Sequence, residues 1–252
     1  RNFTYSPNDP HSVADGGILA TYEDPEQNLW IGAGYGLSYY NRDEQKFKNF
    51  RHNPSDPNSM RGDTVLSVTG DPSGDLWLGI WAAGLHRYNP ATGQFRVYAP
   101  DPTNPNSLLG KEPWDLMVDR DGVLWVATEA GINRYNRDTD DFTHFIPHPT
   151  QMDGDTALYT RAIYEDSHRN LWVGSIRGLY LLDRVTGEFE RFRHRPGAVN
   201  SISADFVKAI YEDSKGNLWL GTHGGGLNRM DVLSRRFTAY HVNDGLPDEV
   251  VT

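Results

Sequence analysis

The sequence predicts an all-β chain, a β-propeller or propeller fragment, made of five four-stranded antiparallel blades of about 47 residues. Three recurrences carry this reading. The motif Leu-Trp-aliphatic-(Gly/Ala) returns at Trp30, Trp77, Trp125, Trp172 and Trp219, with spacings of 47, 48, 47 and 47 residues. An aspartate stands six residues before every one of these tryptophans, at Asp24, Asp71, Asp119, Asp166 and Asp213. Six or seven residues after each tryptophan comes a Gly-(Leu/Ile) pair, and a Phe-x-x-(Phe/Tyr) pair closes the unit, as at Phe47/Phe50 and Phe237/Tyr240.

Within a unit, four short β-rich runs are separated by turn chemistry, the pattern of strands joined by hairpins. The fifth repeat reads most plainly. Strand A runs roughly from Val207 to Glu212, and Asp213-Ser214-Lys215-Gly216-Asn217 is a turn whose aspartate can accept backbone N–H groups and whose glycine supplies a positive φ. Strand B covers Leu218 to Thr222, strand C Leu227 to Asp231, and strand D Arg236 to His241. Such a sheet cannot bury both faces alone, whereas radial stacking covers both, so the recurrent Trp and Phe-x-x-(Phe/Tyr) positions are expected between blades. The expected blades are 13–59, 60–107, 108–154, 155–201 and 202–243, within a single domain spanning 1–252.

The ends read as incomplete units. Phe3-Thr4-Tyr5 with Asn8-Asp9-Pro10-His11-Ser12 resembles a strand D and the loop after it, since Asn53 to Ser59 sits in the same place after Phe50. Asp248-Glu249-Val250-Val251-Thr252 resembles the opening of another strand A. The expectation is a fragment of a longer propeller, whose unpaired edges favour self-association.

Composition narrows the function classes. Gly and Pro supply 40 residues, and apolar residues make up 37% of the chain, as in a turn-rich globular fold. A net charge of −10, from 34 acidic against 24 basic residues, repels the phosphate backbone and argues against nucleic-acid partners. No run approaches 18 apolar residues and the opening residues form no signal peptide, so this segment is not expected to insert into a membrane. The absence of cysteine excludes disulfides, Cys-ligated zinc and thiol catalysis.

The run Tyr-Glu-Asp-Ser-Lys-Gly-Asn-Leu-Trp-Leu-Gly-Thr at Tyr211–Thr222, followed by Gly-Gly-Leu-Asn-Arg and Arg-Arg-Phe-Thr-Ala-Tyr, resembles the two-component regulator propeller repeat. The resemblance extends over essentially the whole chain. It implies a sensor region of a bacterial regulator, periplasmic, placed ahead of a transmembrane helix and an output domain, and often tuned to glycans.

Several motifs have plainer explanations. The pairs Glu23-Asp24, Glu165-Asp166 and Glu212-Asp213 are neighbours along a strand, point to opposite faces and cannot flank one bond. His144 and His148 would lie about 13 Å apart in an extended chain, too far to share a metal. Asn2-Phe3-Thr4 is too common a pattern to signify glycosylation, and Gly224-Gly225-Gly226 reads as a turn. No catalytic residue, metal ligand or cofactor is expected.

Positions shared by all repeats maintain the fold, so those that differ are better candidates for recognition. Family-level geometry places the B–C and D–A loops on one face, around the channel. The candidate ligand-binding residues are Tyr35, Trp81, Trp114, Glu129, Arg161, Arg177 and His223, with Asp63, Lys111, Glu112, Asp155, Tyr159 and Asp205 nearby. Aromatic rings beside Arg, Glu and Asp suit a polar ligand such as an oligosaccharide. The expected function is a non-enzymatic sensor that binds a small molecule or oligosaccharide and works with other domains of the same regulator. A carbohydrate-active propeller recruiting Glu112, Glu129 or Asp155, and an interaction scaffold without a small ligand, are the alternatives.

Overall fold

The computed structural model describes residues 3–148, 158–198 and 200–252. It contains five separate four-stranded antiparallel sheets, each pairing its strands in chain order. Blade 1 is β1 (Ile18–Glu23), β2 (Leu29–Ala33), β3 (Gly36–Asn41) and β4 (Lys46–Phe50), and blade 2 is β5 (Val65–Gly70), β6 (Leu76–Ile80), β7 (Gly84–Asn89) and β8 (Gln94–Tyr98). Blade 3 is β9 (Pro113–Val118), β10 (Leu124–Thr128), β11 (Ile132–Asn136) and β12 (Asp141–Phe145). Blade 4 is β13 (Thr160–Glu165), β14 (Leu171–Ser175), β15 (Gly178–Leu182) and β16 (Phe189–Phe192), and blade 5 is β17 (Val207–Glu212), β18 (Asn217–Thr222), β19 (Leu227–Asp231) and β20 (Arg236–Tyr240). The one helical piece among the described residues is a 3₁₀ turn at Val242–Asp244, so none of their helices is long and apolar enough to cross a membrane.

The chain forms two compact units. One holds blades 1 to 3 as far as Thr143, apart from Ala127–Ile132; the other holds Ala127–Ile132 and the chain from His144 onward. In the first unit, Trp30, Leu37 and Tyr22 of blade 1 pack against Val65, Leu78 and Tyr88 of blade 2. Trp77, Leu85 and Tyr98 of blade 2 in turn meet Leu116, Leu124 and Tyr135 of blade 3. In the second unit, Trp172 and Leu179 of blade 4 meet Leu218, Leu220 and Met230 of blade 5. Each fully buried side chain of this kind contributes about 1.5–3 kcal/mol through lost contact with water. Trp77, Trp125 and Trp172 are fully buried, while Trp219 is only half-buried and stacks on Tyr240 at 5.6 Å.

The aspartate six residues before each tryptophan binds the indole as well as the turn. The Trp Nε1–H donates to Oδ2 at 3.2 Å in blade 1, 2.8 Å in blades 2, 3 and 4, and 2.9 Å in blade 5. In blades 2 to 5, Oδ1 accepts the backbone N–H groups two and four residues on, for example Lys215 and Asn217 at Asp213. The Trp219 and Asn217 bonds hold the Asp213 carboxyl well below the usual carboxylate range. One residue thus closes the A–B hairpin and satisfies the polar tip of a buried ring.

The glycine two residues after the tryptophan has a packing reason. A Cβ on Gly32 would lie 2.8 Å from Val65, one on Gly174 2.9 Å from Val207, and one on Gly221 2.8 Å from the Val251 carbonyl oxygen. The next inner strand, or in blade 5 the chain near Val251, approaches too closely for any side chain.

The D–A loops depart from the expectation that they lie wholly on the B–C face. Connecting the outermost strand of one blade to the innermost strand of the next requires crossing the whole next blade, and the loops use that path as a clasp. Asn58 Oδ1 accepts the Phe95 N–H and Asn200 Oδ1 the Phe237 N–H, so each loop is tied to the outer strand of the blade it leads into. The following stretch is then pinned by the residue two places after the glycine of the Gly-(Leu/Ile) pair: Ala14 N–H donates to Ser38, Arg61 to His86, Leu109 to Asn133 and Ser203 to Asn228.

Candidate functional site

The last residues of each D–A loop do reach the B–C face, as hydrogen bonds within each unit demonstrate. In the first unit Thr64 links two blades: its hydroxyl donates to the Gly34 carbonyl at 3.0 Å and its carbonyl accepts the Trp81 N–H at 2.9 Å. Tyr35 and Trp81 therefore stand on adjacent, bonded loops, each more than half exposed at 59% and 55%. Trp114 lies half-buried on β9, and its neighbour Lys111 accepts the Gly84 N–H of blade 2. In the second unit, the Tyr159 N–H donates to the Glu129 carbonyl and the Ile176 N–H to the Tyr159 carbonyl. Glu129 and Arg177 thus sit on loops joined through Tyr159, with Arg161 close behind on β13. Arg177 is anchored by its N–H to Ser175 Oγ and by accepting Arg191 Nε–H on its carbonyl. His223 is exposed, stacks on Phe206 at 5.4 Å and donates its N–H to the Phe206 carbonyl.

The seven candidates therefore fall into two groups, Tyr35, Trp81 and Trp114 in one unit and Glu129, Arg161, Arg177 and His223 in the other. Asp63 and Asp205 have a structural task that recurs, accepting the N–H of His52 and His194 at 2.7 and 2.6 Å. Asp155 lies outside the described residues, as does Asn2.

A second feature was not anticipated from the sequence. On the opposite face, where the A–B and C–D turns lie, a cleft of about 640 Å³ opens between blades 1 and 2. Its walls are aromatic: Trp30 and Tyr39 have ring centroids 4.5 Å apart, and Phe50 and Tyr88 5.2 Å apart. Its rim carries Asp24, Glu26, Asp71 and Asp75, against the single cation Lys48. Burial first, and then Asp24 and Glu26, push the phenols of Tyr22 and Tyr39 above their ordinary value. Gly70 makes the cleft shape possible, because any side chain there would collide with the Tyr22 hydroxyl. The sequence signal was the residue six places after each Gly-(Leu/Ile) glycine: Arg42, Pro90, Arg137, Arg184 and Val232.

The fold and the two faces define a β-propeller of repeated Asp-Trp blades. Two stretches, residues 107–130 and 201–224, match the family model of the two component regulator propeller, and the chain carries that repeat. Among solved structures, the extracellular domain of a hybrid two component system from B. thetaiotaomicron is 25% identical, with a TM-score of 0.76 over 90% of this chain and 31% of that one. A second such extracellular domain from B. thetaiotaomicron is 20% identical, with a TM-score of 0.58 over 96% of this chain and 40% of the other. The chain thus spans about a third of the length of these relatives. Virginiamycin B lyase from Staphylococcus aureus shares the fold at 18% identity, with a TM-score of 0.66 over 92% of this chain and 72% of the lyase. No curated protein matches the chain.

Proposed function

We propose that this chain is the ligand-recognising propeller of a two-component sensor, located in the periplasm and without catalytic activity of its own. The observation that carries the reading is the 25% identity over 90% of the chain to an extracellular domain of a hybrid two component system. Recognition is assigned to the B–C face, where the loops break the repeat. In the first unit Tyr35 and Trp81 offer exposed rings for stacking on a polar ligand, with an oligosaccharide as the expected class; in the second, Glu129, Arg161 and Arg177 form a separate group of charged side chains suited to directional contacts. Binding passes to the remaining domains of the regulator by favouring one arrangement of the propeller over another.

Calorimetry against a panel of oligosaccharides tests this, with hydrolysis or elimination products sought in the same samples. Binding that is lost in Trp81→Ala or in Arg177→Ala supports the reading and assigns recognition to the first or the second group. Binding unchanged in both removes this face, and bond cleavage abolished by Glu129→Gln transfers the chain to the carbohydrate-active class.

A further inference from the structure

We propose that the cleft between blades 1 and 2 binds a guanidinium group carried on an apolar stem, the chemistry of an arginine side chain. The proposal is independent of the function assigned above, since it concerns the opposite face.

The repeat supplies its own template. Between blades 2 and 3, the corresponding space is filled from within the chain. Arg137 of blade 3 reaches across to Asp71, donating from Nη2 to Oδ2 at 2.6 Å and from Nη1 to Ser73 Oγ at 3.1 Å. The same Asp71 Oδ2 holds the Trp77 indole. Between blades 1 and 2 the aspartate and tryptophan are present as Asp24 and Trp30, but the residue in the place of Arg137 is Pro90, which carries no donor and cannot reach. Asp24 Oδ2 then accepts only the Trp30 N–H, at 3.2 Å, and no cation pairs with Asp24 among the described residues. The place of Ser73 is taken by Glu26, so a guanidinium entering at the equivalent point meets two carboxylates rather than one.

A second pair in blade 2, Arg87 with Asp75, bonded through Arg87 Nε at 2.6 Å, is replaced in blade 1 at both members, by Tyr39 and Asn28. The Asp71 and Arg137 pair is replaced at only one, since Asp24 still binds the Asn28 and Trp30 N–H groups, and a carboxylate therefore remains where the cation has gone. Asp71 and Asp75 also line the cleft but are engaged by Arg137 and Arg87. Lys48 does not compensate Asp24; its ammonium stands over the Phe50 ring at 4.9 Å. The aromatic walls suit the remainder of such a ligand, since a weakly hydrated guanidinium and its methylene stem pack well on ring faces.

The probes are N-acetylarginine amide and the peptide Gly-Arg-Gly, with N-acetylcitrulline amide as the control of equal shape and no charge. Titration calorimetry on the wild-type chain is expected to show both arginine compounds binding at least tenfold more tightly than the citrulline compound. A preference for the peptide identifies an arginyl segment of a partner as the source, and equal binding identifies a free small molecule. Asp24→Asn, which removes the charge but leaves one acceptor oxygen for the Asn28 and Trp30 N–H groups, should weaken arginine binding at least tenfold in the folded variant. Pro90→Arg should abolish it and raise Tm, because the new side chain closes the cleft as Arg137 closes its neighbour. Equal affinity for arginine and citrulline compounds, no binding of either arginine probe, or full binding in folded Pro90→Arg would each overturn the proposal.

Discussion

The two blade interfaces of the first unit begin from the same parts and end in opposite states. Between blades 2 and 3, Trp77 is fully buried, Arg87 lies over its ring at 5.6 Å, and Arg137 seals the turn-side mouth on Asp71. Between blades 1 and 2, Tyr39 and Pro90 replace the two arginines, and the mouth stays open over Trp30. The shared aspartate and tryptophan make a blade, while the residues around them decide whether the joint is filled by the chain or left to a visitor.

The largest expected effect tests the sealed joint. Trp77→Ala should destabilise the protein by about 3–5 kcal/mol in urea unfolding, as a fully enclosed aromatic truncation, with Trp125→Ala in the same range. Trp30→Ala, bordering open space, should cost at least 1 kcal/mol less because water can enter the site. Equal losses at Trp30 and Trp77 would erase the distinction between the joints.

The linkers entering blades 2 and 3 provide the second test. The first is pinned by His86 and the second by Asn133. Burial pushes His86 down to about 4, with the nearby Arg61 charge in the same direction and a backbone bond at Gly84 opposing. The unfolded chain therefore binds a proton that the folded chain refuses, so stability is complete above the ordinary histidine value and falls as pH drops from about 6.5 towards 4. The loss should be on the order of 2–3 kcal/mol, read from urea midpoints across that range. His86→Asn copies the residue of blades 3 and 5 and should flatten the profile; an unchanged slope would exclude His86 as its source.

A smaller effect is expected at the seal. Arg137→Ala leaves Asp71 buried without its ion pair and should cost about 1–2 kcal/mol, discounted because the arginine is nearly half exposed. Burial pushes Asp71 up, but bonds from Ser73, Trp77 and Arg137 outweigh it and hold the carboxyl below the usual range. That stabilisation is present above the ordinary carboxylate value and lost as pH falls through the lower folded one. Asp24→Asn at the open joint should cost about 1 kcal/mol, because the amide has one acceptor oxygen for the Asn28 and Trp30 N–H groups. The smallest effects belong to Tyr35→Ala and Trp81→Ala, both within about 0.5 kcal/mol by thermal unfolding, since their rings face solvent.

Much of the fold was legible because its signals are local and repeated. Strand C of the fifth blade runs over the expected Leu227–Asp231, and strand A over Val207–Glu212. Turn capping by the aspartates was readable from Asp and Gly chemistry, but the second bond to the indole was not, since it links positions across a hairpin. The clasping role of Asn58 and Asn200 was hidden for the same reason: each bonds a strand more than thirty residues further on. The cleft escaped because it arises from something small, Pro90 and Gly70, standing where neighbours are large. Comparing repeats position by position on the B–C face alone could not find it, although the same comparison on the turn face does.

The bond between aspartate and indole gives the molecule one spectroscopic marker per blade. Five indole protons, those of Trp30, Trp77, Trp125, Trp172 and Trp219, point at carboxylates, so their proton resonances should lie downfield in a ¹⁵N-edited spectrum, each shifted according to the length of its own bond. Trp30, with the longest bond at 3.2 Å, should resonate least far downfield and should move first when a cation settles beside Asp24. Loss of a single peak on warming would then date the opening of one blade against the other four, turning a repeat that looks uniform in sequence into five separately timed events.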